Sequence, residues 1–302
     1  MSKDVNKKRW GDRKDARRVK MPAMLRVMTY ISNRQDSYVY INKKVDVTDL
    51  VKYMQKKKEK NPELTYFHAF SIAFAKVIYN RPKLNYFIMN HRCYERNDVI
   101  LSFVAKVSFD DKSKEVMTLI KVDPEDNIMD MSRKIKEKVD KFRKKKEQNS
   151  TDDSLDLLGK LPNWSLKYFV APIAKWMDRH DLLPKSLSNE LIYNSTAILS
   201  NLGSIKCGAI HHHLMDFGTN SIVVTIGDIH KEPLVINDKV EIRDVVEFGI
   251  TLDERIADGV YMSKAVNLLD YILKNPKTLE GKANEIIEEK KDFEYWFNWK
   301  IL

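Results

Sequence analysis

Three groups of residues in this 302-residue chain have types and spacings that could do chemistry. The first is Asp253-Glu254-Arg255-Ile256-Ala257-Asp258-Gly259, a charged turn that follows a β-branched run and leads straight into an apolar, helix-like pattern. Carboxylates presented on a turn can move protons, and they can equally be turn formers, with Glu254 paired to a nearby Lys or Arg. The second is His211-His212-His213-Leu214-Met215-Asp216, the densest titratable cluster in the chain. Its imidazoles could act as acid or base, or pack at an interface. Adjacent histidines on a loop point apart, so three in a row seldom hold one ion without a fourth ligand, and no metal is expected. The third is Ser200-Asn201-Leu202-Gly203, which by residue type suits the end of a strand and a turn. Cys207 lies nearby without His and Asp at nucleophile spacing, and reads as a small packed residue.

Strands and helices must hold these groups. Ser37 to Val47 alternates in part and reads as a strand. Thr48 or Asp49 then caps a helix with Leu50, Val51 and Met54 at helical spacing, which Pro62 stops. Thr65 to Tyr79 is apolar on nearly every side, so that helix should be central. Val99 to Val107 and Val116 to Val122 read as strands around a polar turn, Asp110 to Lys114. Ile128, Met131, Ile135 and Val139 mark an amphipathic helix with a basic outer face, and Lys146 to Asp156 a polar loop. Leu157 to Leu191 is an apolar, Trp-bearing stretch with helical spacing, expected to be a helical insertion that covers another surface. Four β-branched runs follow, and Gly259 to Leu273 closes with a helix. The arrangement predicts α+β layers, not a regular βαβ alternation.

With these residues in view, the chain resembles the catalytic domain of the dihydrolipoyl acyltransferases of 2-oxoacid dehydrogenase complexes, relatives of chloramphenicol acetyltransferase. Their signature is Asp-His-Arg-x-x-Asp-Gly. Residues 253–259 follow it except that Glu254 stands where the family has its catalytic His. Val45-Asp46-Val47-Thr48 before a Lys-rich helix, Arg81-Pro82-Lys83-Leu84-Asn85 after a buried one, and Ser200-Asn201-Leu202-Gly203 resemble further family landmarks, in the same order. The resemblance covers roughly residues 22 to 280. It implies a chloramphenicol-acetyltransferase-like α+β fold, a mixed sheet with packed helices. It also implies a homotrimer, or an assembly of trimers, with active sites between subunits. In that setting Glu254 stands at the position of the base, Ser200 at that of the hydroxyl that stabilises the tetrahedral oxyanion, and Asp258, Asp253, Arg255, Gly259 and Asn201 at supporting positions. His212 or His213 could serve as a replacement base. Acyl-CoA or CoA would be a substrate, with no tightly bound cofactor. The order His-His-x-x-x-Asp at His211 to Asp216 is also similar to a motif of peptide-synthetase condensation domains, although there it lies in the first half of the domain.

The domain organisation expected is a basic arm over residues 1–21, the acyltransferase-like body over 22–280 with an insertion at about 148–191, and an aromatic tail over 281–302. The tail's Phe293-Glu294-Tyr295-Trp296-Phe297-Asn298-Trp299 suits a contact with a neighbouring subunit, and by residue type also packing within the chain or a place at a membrane interface. Net charge is +10, but residues 1–20 and 133–147 each carry +6, leaving −2 for the rest. Neither basic segment interleaves aromatics as single-strand binders do, so nucleic acid is an unlikely partner. Two distant cysteines exclude a disulfide scaffold and point to a reducing, cytoplasmic setting. No apolar run reaches the ~18–20 residues of a membrane span.

Overall fold

The computed structural model describes residues 12–31, 33–106, 115–145, 161–184 and 191–287. The expected turn at 110–114, the loop at 146–156, the first and last parts of the insertion, and the aromatic run at 293–299 lie outside these residues.

Ten strands are described: β1 Ala16–Val19, β2 Tyr38–Asp46, β3 Tyr86–Met89, β4 Arg92–Arg96, β5 Val99–Lys106, β6 Glu115–Val122, β7 Ala197–Asn201, β8 Ile222–Ile226, β9 His230–Ile236 and β10 Lys239–Asp253. The main helices are α1 Ala23–Ile31, α2 Thr48–Lys60, α3 Tyr66–Asn80, α4 Ile128–Lys145, α5 Ala171–Arg179 and α6 Gly259–Lys274. The large sheet has the order β2-β10-β8-β7-β5-β6, with β9 pairing to the outer half of β10. β7 runs parallel to both β5 and β8, and the other pairs are antiparallel, so the sheet is mixed as expected. A smaller sheet, β1-β4-β3, brings Ala16–Val19 of the basic N-terminal segment onto Cys93–Arg96. That pairing has no local signature, because a four-residue strand is ordered only by its partner.

The two-residue period of the strands sorts the large sheet into two unlike faces. Val246, Phe248, Ile250 and Leu252 of β10, Ile222, Val224 and Ile226 of β8, and Leu199 and Leu101 of β7 and β5 join the main core. α2, α3, α4 and α6 pack there, with Phe70 and Phe74 of α3 edge-on to Phe248. α3 is buried from His68 through Ile78, as its all-round apolar sequence predicts. The opposite face mixes small and hydroxyl residues, Ser102, Ser200, Thr225, Gly249 and Thr251, with Ile198, Val223 and Val245.

One buried group makes the fold pH-sensitive. His68 sits in the capping box of α3, where Thr65 N donates to its Nδ1 at 3.2 Å. Burial first, and Lys58 second, push its pKa down to about 4. The unfolded chain takes up the proton near 6.5 and the folded chain only near 4, so stability is full above the unfolded value and falls as pH drops between the two. Between pH 7 and pH 5 we expect a loss of about 2 kcal/mol, at about 1.36 kcal/mol per unit. Urea unfolding at the two pH values measures it, and His68→Gln should flatten the dependence.

Candidate active site

β10 runs antiparallel to β2 until Asp253 faces Tyr38, and there the chain turns. Asp253 is 1% exposed and forms a two-point ion pair with Arg255, Nε to Oδ1 at 2.8 Å and Nη2 to Oδ2 at 2.7 Å. Burial opposes the Arg255 charge, but the bonds from Asp253 outweigh it and hold that guanidinium above its ordinary pKa. Arg34 Nε approaches Asp253 Oδ2 from the other side at 3.7 Å. Arg34 also donates to the carbonyls of Met215 and Asn220, tying the loop before β8 to the same carboxylate. Ser221 Oγ and Thr251 Oγ1, close by on this face, are buried without a hydrogen-bond partner among the described residues. Ile256 and Ala257 are buried, and Asp258 caps α6, its Oδ1 accepting from Tyr261 N at 2.9 Å. That backbone bond is the main reason why the Asp258 pKa is lowered.

Every position of the turn is thus anchored except one. Glu254 N donates to Ser37 O at 2.9 Å, while its side chain is exposed and makes no ion pair among the described residues. Glu254 is a turn residue, and among the described residues the ion pairing at this turn belongs to its neighbours, Asp253 and Arg255.

Ser200 is half-buried near the end of β7, and the turn after it explains its glycine. A Cβ on Gly203 would lie 2.5 Å from Gly227 O, so only glycine lets the turn close against the end of β8. Asn201 is exposed. Strand register fixes how far Ser200 lies from Glu254. Ser200 pairs with Thr225, and Thr225 with Gly249, five residues before Glu254 along β10. At ~3.3 Å per residue and ~4.8 Å per strand the two are ~19 Å apart. One copy of the chain does not bring them together.

The histidines lie on an extended segment crossing the hydroxyl face. Its carbonyl at Ile210 accepts from Thr225 Oγ1, and Tyr38 OH donates to Leu214 O at 2.7 Å. His211, His212 and His213 are all exposed. His212 and His213 stack at 4.8 Å, and His211 lies edge-on to Tyr40 at 5.2 Å. Among the described residues no three His, Cys, Asp or Glu are grouped to hold a metal. The same strands give the segment its path: a Cβ on Gly249 would come within 2.2 Å of Ile210 O.

Sequence reading singled out neither Gly249 nor Arg34. A glycine inside a strand pattern is a signal of close backbone approach and could have marked the first. Arg34 had no such signal, since its partner is 219 positions away in sequence. A cleft of about 1030 Å³ lies elsewhere, between the N-terminal segment, β6 and α4. Several of its cations are matched locally, with Lys121 to Asp98 at 2.8 Å and Lys134 to Asp123 at 2.6 Å.

Comparison with known proteins agrees with the fold. Residues 179–280 match the family of 2-oxoacid dehydrogenases acyltransferase (catalytic domain). No curated protein sequence matches the chain. Among solved structures it is similar to a probable dihydrolipoamide acetyltransferase from Listeria monocytogenes 4b F2365, with a TM-score of 0.57 and 19% identity over 85% of this chain and 94% of that one. It is also similar to the dihydrolipoamide acetyltransferase of Azotobacter vinelandii, with a TM-score of 0.57 and 14% identity over 86% of this chain and 92% of that one. In that enzyme the roles of a serine, a histidine and an asparagine in the catalytic mechanism have been investigated. A third is the cubic core of the pyruvate dehydrogenase multienzyme complex, with a TM-score of 0.58 and 12% identity over 86% of this chain and 92% of that one. The chain has the fold of these acyltransferase cores.

Proposed function

We propose that the chain is an acyltransferase that moves an acyl group from acyl-CoA to a small acceptor, working as a trimer in which Glu254 of one copy faces Ser200 of the next. The observation that supports it most is the scaffold around position 254. The Asp253–Arg255 ion pair, the buried Ile256 and Ala257, and the Asp258 cap together hold one side chain outward on a rigid turn. A side chain held that firmly and exposed suits a task outside its own chain. The ~19 Å between Glu254 and Ser200 in one copy is what a site shared between copies requires.

In this mechanism the acceptor gives its proton to the Glu254 carboxylate as it attacks the thioester carbonyl. The oxyanion so formed accepts a hydrogen bond from Ser200 Oγ. Collapse breaks the C–S bond, and the departing CoA sulfur takes the proton back from Glu254. A carboxylate is about two pKa units weaker as a base than imidazole, which removes about 3 kcal/mol of proton-transfer driving force. The reaction should therefore be slow and improvable. The purified protein should release free thiol from acyl-CoA in the presence of an acceptor, with Ser200→Ala or Glu254→Ala at least tenfold slower and Glu254→His faster. Light scattering should give the mass of a trimer or a multiple of it.

A second reading, a silent assembly of the same fold, has one argument in its favour: an ionised Glu254 repels a forming thiolate, which a neutral imidazole does not. It gains if the natural protein shows no thiol release while Glu254→His does. Release by neither, across a broad acyl and acceptor panel, sinks the acyl-transfer reading. Cys93 is buried, but Cys207 is exposed and not the packed residue its sequence suggested; both are free thiols, which supports a reducing compartment such as the cytoplasm.

A further inference from the structure

Among the described residues, none covers one face of the inserted helix. It begins with a turn at Asn163–Ser165, widens into a π-turn at Leu166–Val170 and continues as α5. Its inner side chains, Leu166, Val170, Ala174 and Met177, are only half-buried. At its end it is tethered: Gly218 N donates to the buried Asp178 Oδ2 at 3.0 Å, and Asn90 Nδ2 donates to Arg179 O at 3.2 Å. Trp164, Tyr168, Phe169, Ile173 and Trp176 point outward, each more than half exposed.

The π-turn gathers those side chains. In a regular α-helix, residues five apart are separated by ~140° around the axis and do not touch. The π-turn's extra residue per turn brings such a pair round to the same side, and the Trp164 and Phe169 rings meet at 6.1 Å. The stripe is edged with cations. Lys167 lies over the Tyr168 ring at 5.2 Å, Lys175 is 3.6 Å from the exposed Asp216, and Arg179 is exposed, while the helix's one acid, Asp178, is buried. A second apolar face adjoins it. Met24, Val27 and Tyr30 are exposed along α1, and Tyr30 stacks on His91, next to the Asn90 that holds Arg179.

We propose that this face is a membrane-docking surface, the helix of Asn163–Arg179 lying flat in the headgroup region of a bilayer rich in anionic lipid. Tryptophan, tyrosine and phenylalanine are the side chains that settle at that depth, and flanking lysine and arginine neutralise anionic headgroups. No described helix is long and apolar enough to cross a membrane, so the attachment is peripheral. Charge argues for lipid over a second copy of the chain: a symmetric contact between two such faces would set cations against cations. The inference stands whether or not the acyl-transfer reading does.

The test is flotation of the full chain with vesicles at low salt. We expect binding to phosphatidylcholine vesicles containing about 30% phosphatidylglycerol at least tenfold stronger than to phosphatidylcholine alone, and release in about 0.5 M NaCl, where the screening length falls to a few ångströms. Trp164→Ser/Phe169→Ser/Trp176→Ser and Lys167→Glu/Lys175→Glu should each bind at least tenfold more weakly while keeping the wild-type melting midpoint, because the replaced side chains are exposed. If the triple variant fails to fold, brominated lipid decides instead: it should quench wild-type tryptophan emission, and the loss should be smaller in Trp164→Phe/Trp176→Phe. No binding to the mixed vesicles overturns the proposal. So does undiminished binding by the folded triple variant, or by Trp164→Phe/Trp176→Phe undiminished quenching. A change in oligomer mass with vesicle binding intact would assign the face to a second copy instead.

Discussion

Asp253→Ala is expected to cost about 3–5 kcal/mol of stability, the usual loss when one partner of a buried ion pair is removed. Asp253 and Arg255 are 1% and 8% exposed, and both Asp253 oxygens are bonded to the guanidinium. Removing the carboxylate leaves Arg255 charged in a dry place, and leaves Arg34 without the nearest acid to its Nε. The midpoint of urea unfolding measures the loss. Asp253→Asn should cost less, because it keeps the shape and one acceptor. Asp253→Ala/Arg255→Met should recover much of the stability, because the stranded charge is gone. If Asp253→Ala unfolds within about 1 kcal/mol of the natural protein, the pair is not the anchor of the turn. The same substitution should abolish any acyl transfer well below the unfolding midpoint, since the turn that fixes Glu254 would be loosened first.

Gly249→Ala should have the next largest effect on the fold. Its new Cβ would stand 2.2 Å from Ile210 O and 2.7 Å from Thr225 Oγ1, two atoms that also bind each other. The strand is held by partners on both sides, so the segment above it must lift. We expect a loss of about 1–3 kcal/mol, as for overpacked cores, and faster amide exchange from Gly208 to Met215. Gly259→Ala is the control. Nothing lies within 4 Å of a Cβ there, so that glycine, although part of the motif, should be replaceable within about 0.5 kcal/mol. Equal exchange rates in Gly249→Ala and the natural chain would show that the histidine segment is not seated on this strand.

Much of the frame was legible because its signals are local. The all-round apolar pattern of Thr65 to Tyr79 predicts a central helix, and α3 is buried along its length. The β-branched run from Lys239 to Glu254 reads as a strand and is β10 up to Asp253, with Val246, Phe248, Ile250 and Leu252 in the core. The motif from Asp253 to Gly259 reads as a strand end, a turn and a helix start, and it is these. The insertion shows where local reading stops. Its helical spacing predicts a helix but not the π-turn that brings Trp164 and Phe169 to a common face.

By itself, then, the sequence determined the elements and the residues that carry the acyltransferase resemblance, since both rest on side-chain type at short spacing. Only the tertiary structure decided which of those residues meet. It paired Asp253 with Arg255 and Arg34, left Glu254 exposed, and set Ser200 ~19 Å away at the other end of the strands. Strand order and register are set by contacts between segments tens to hundreds of residues apart. No pattern within one segment encodes them.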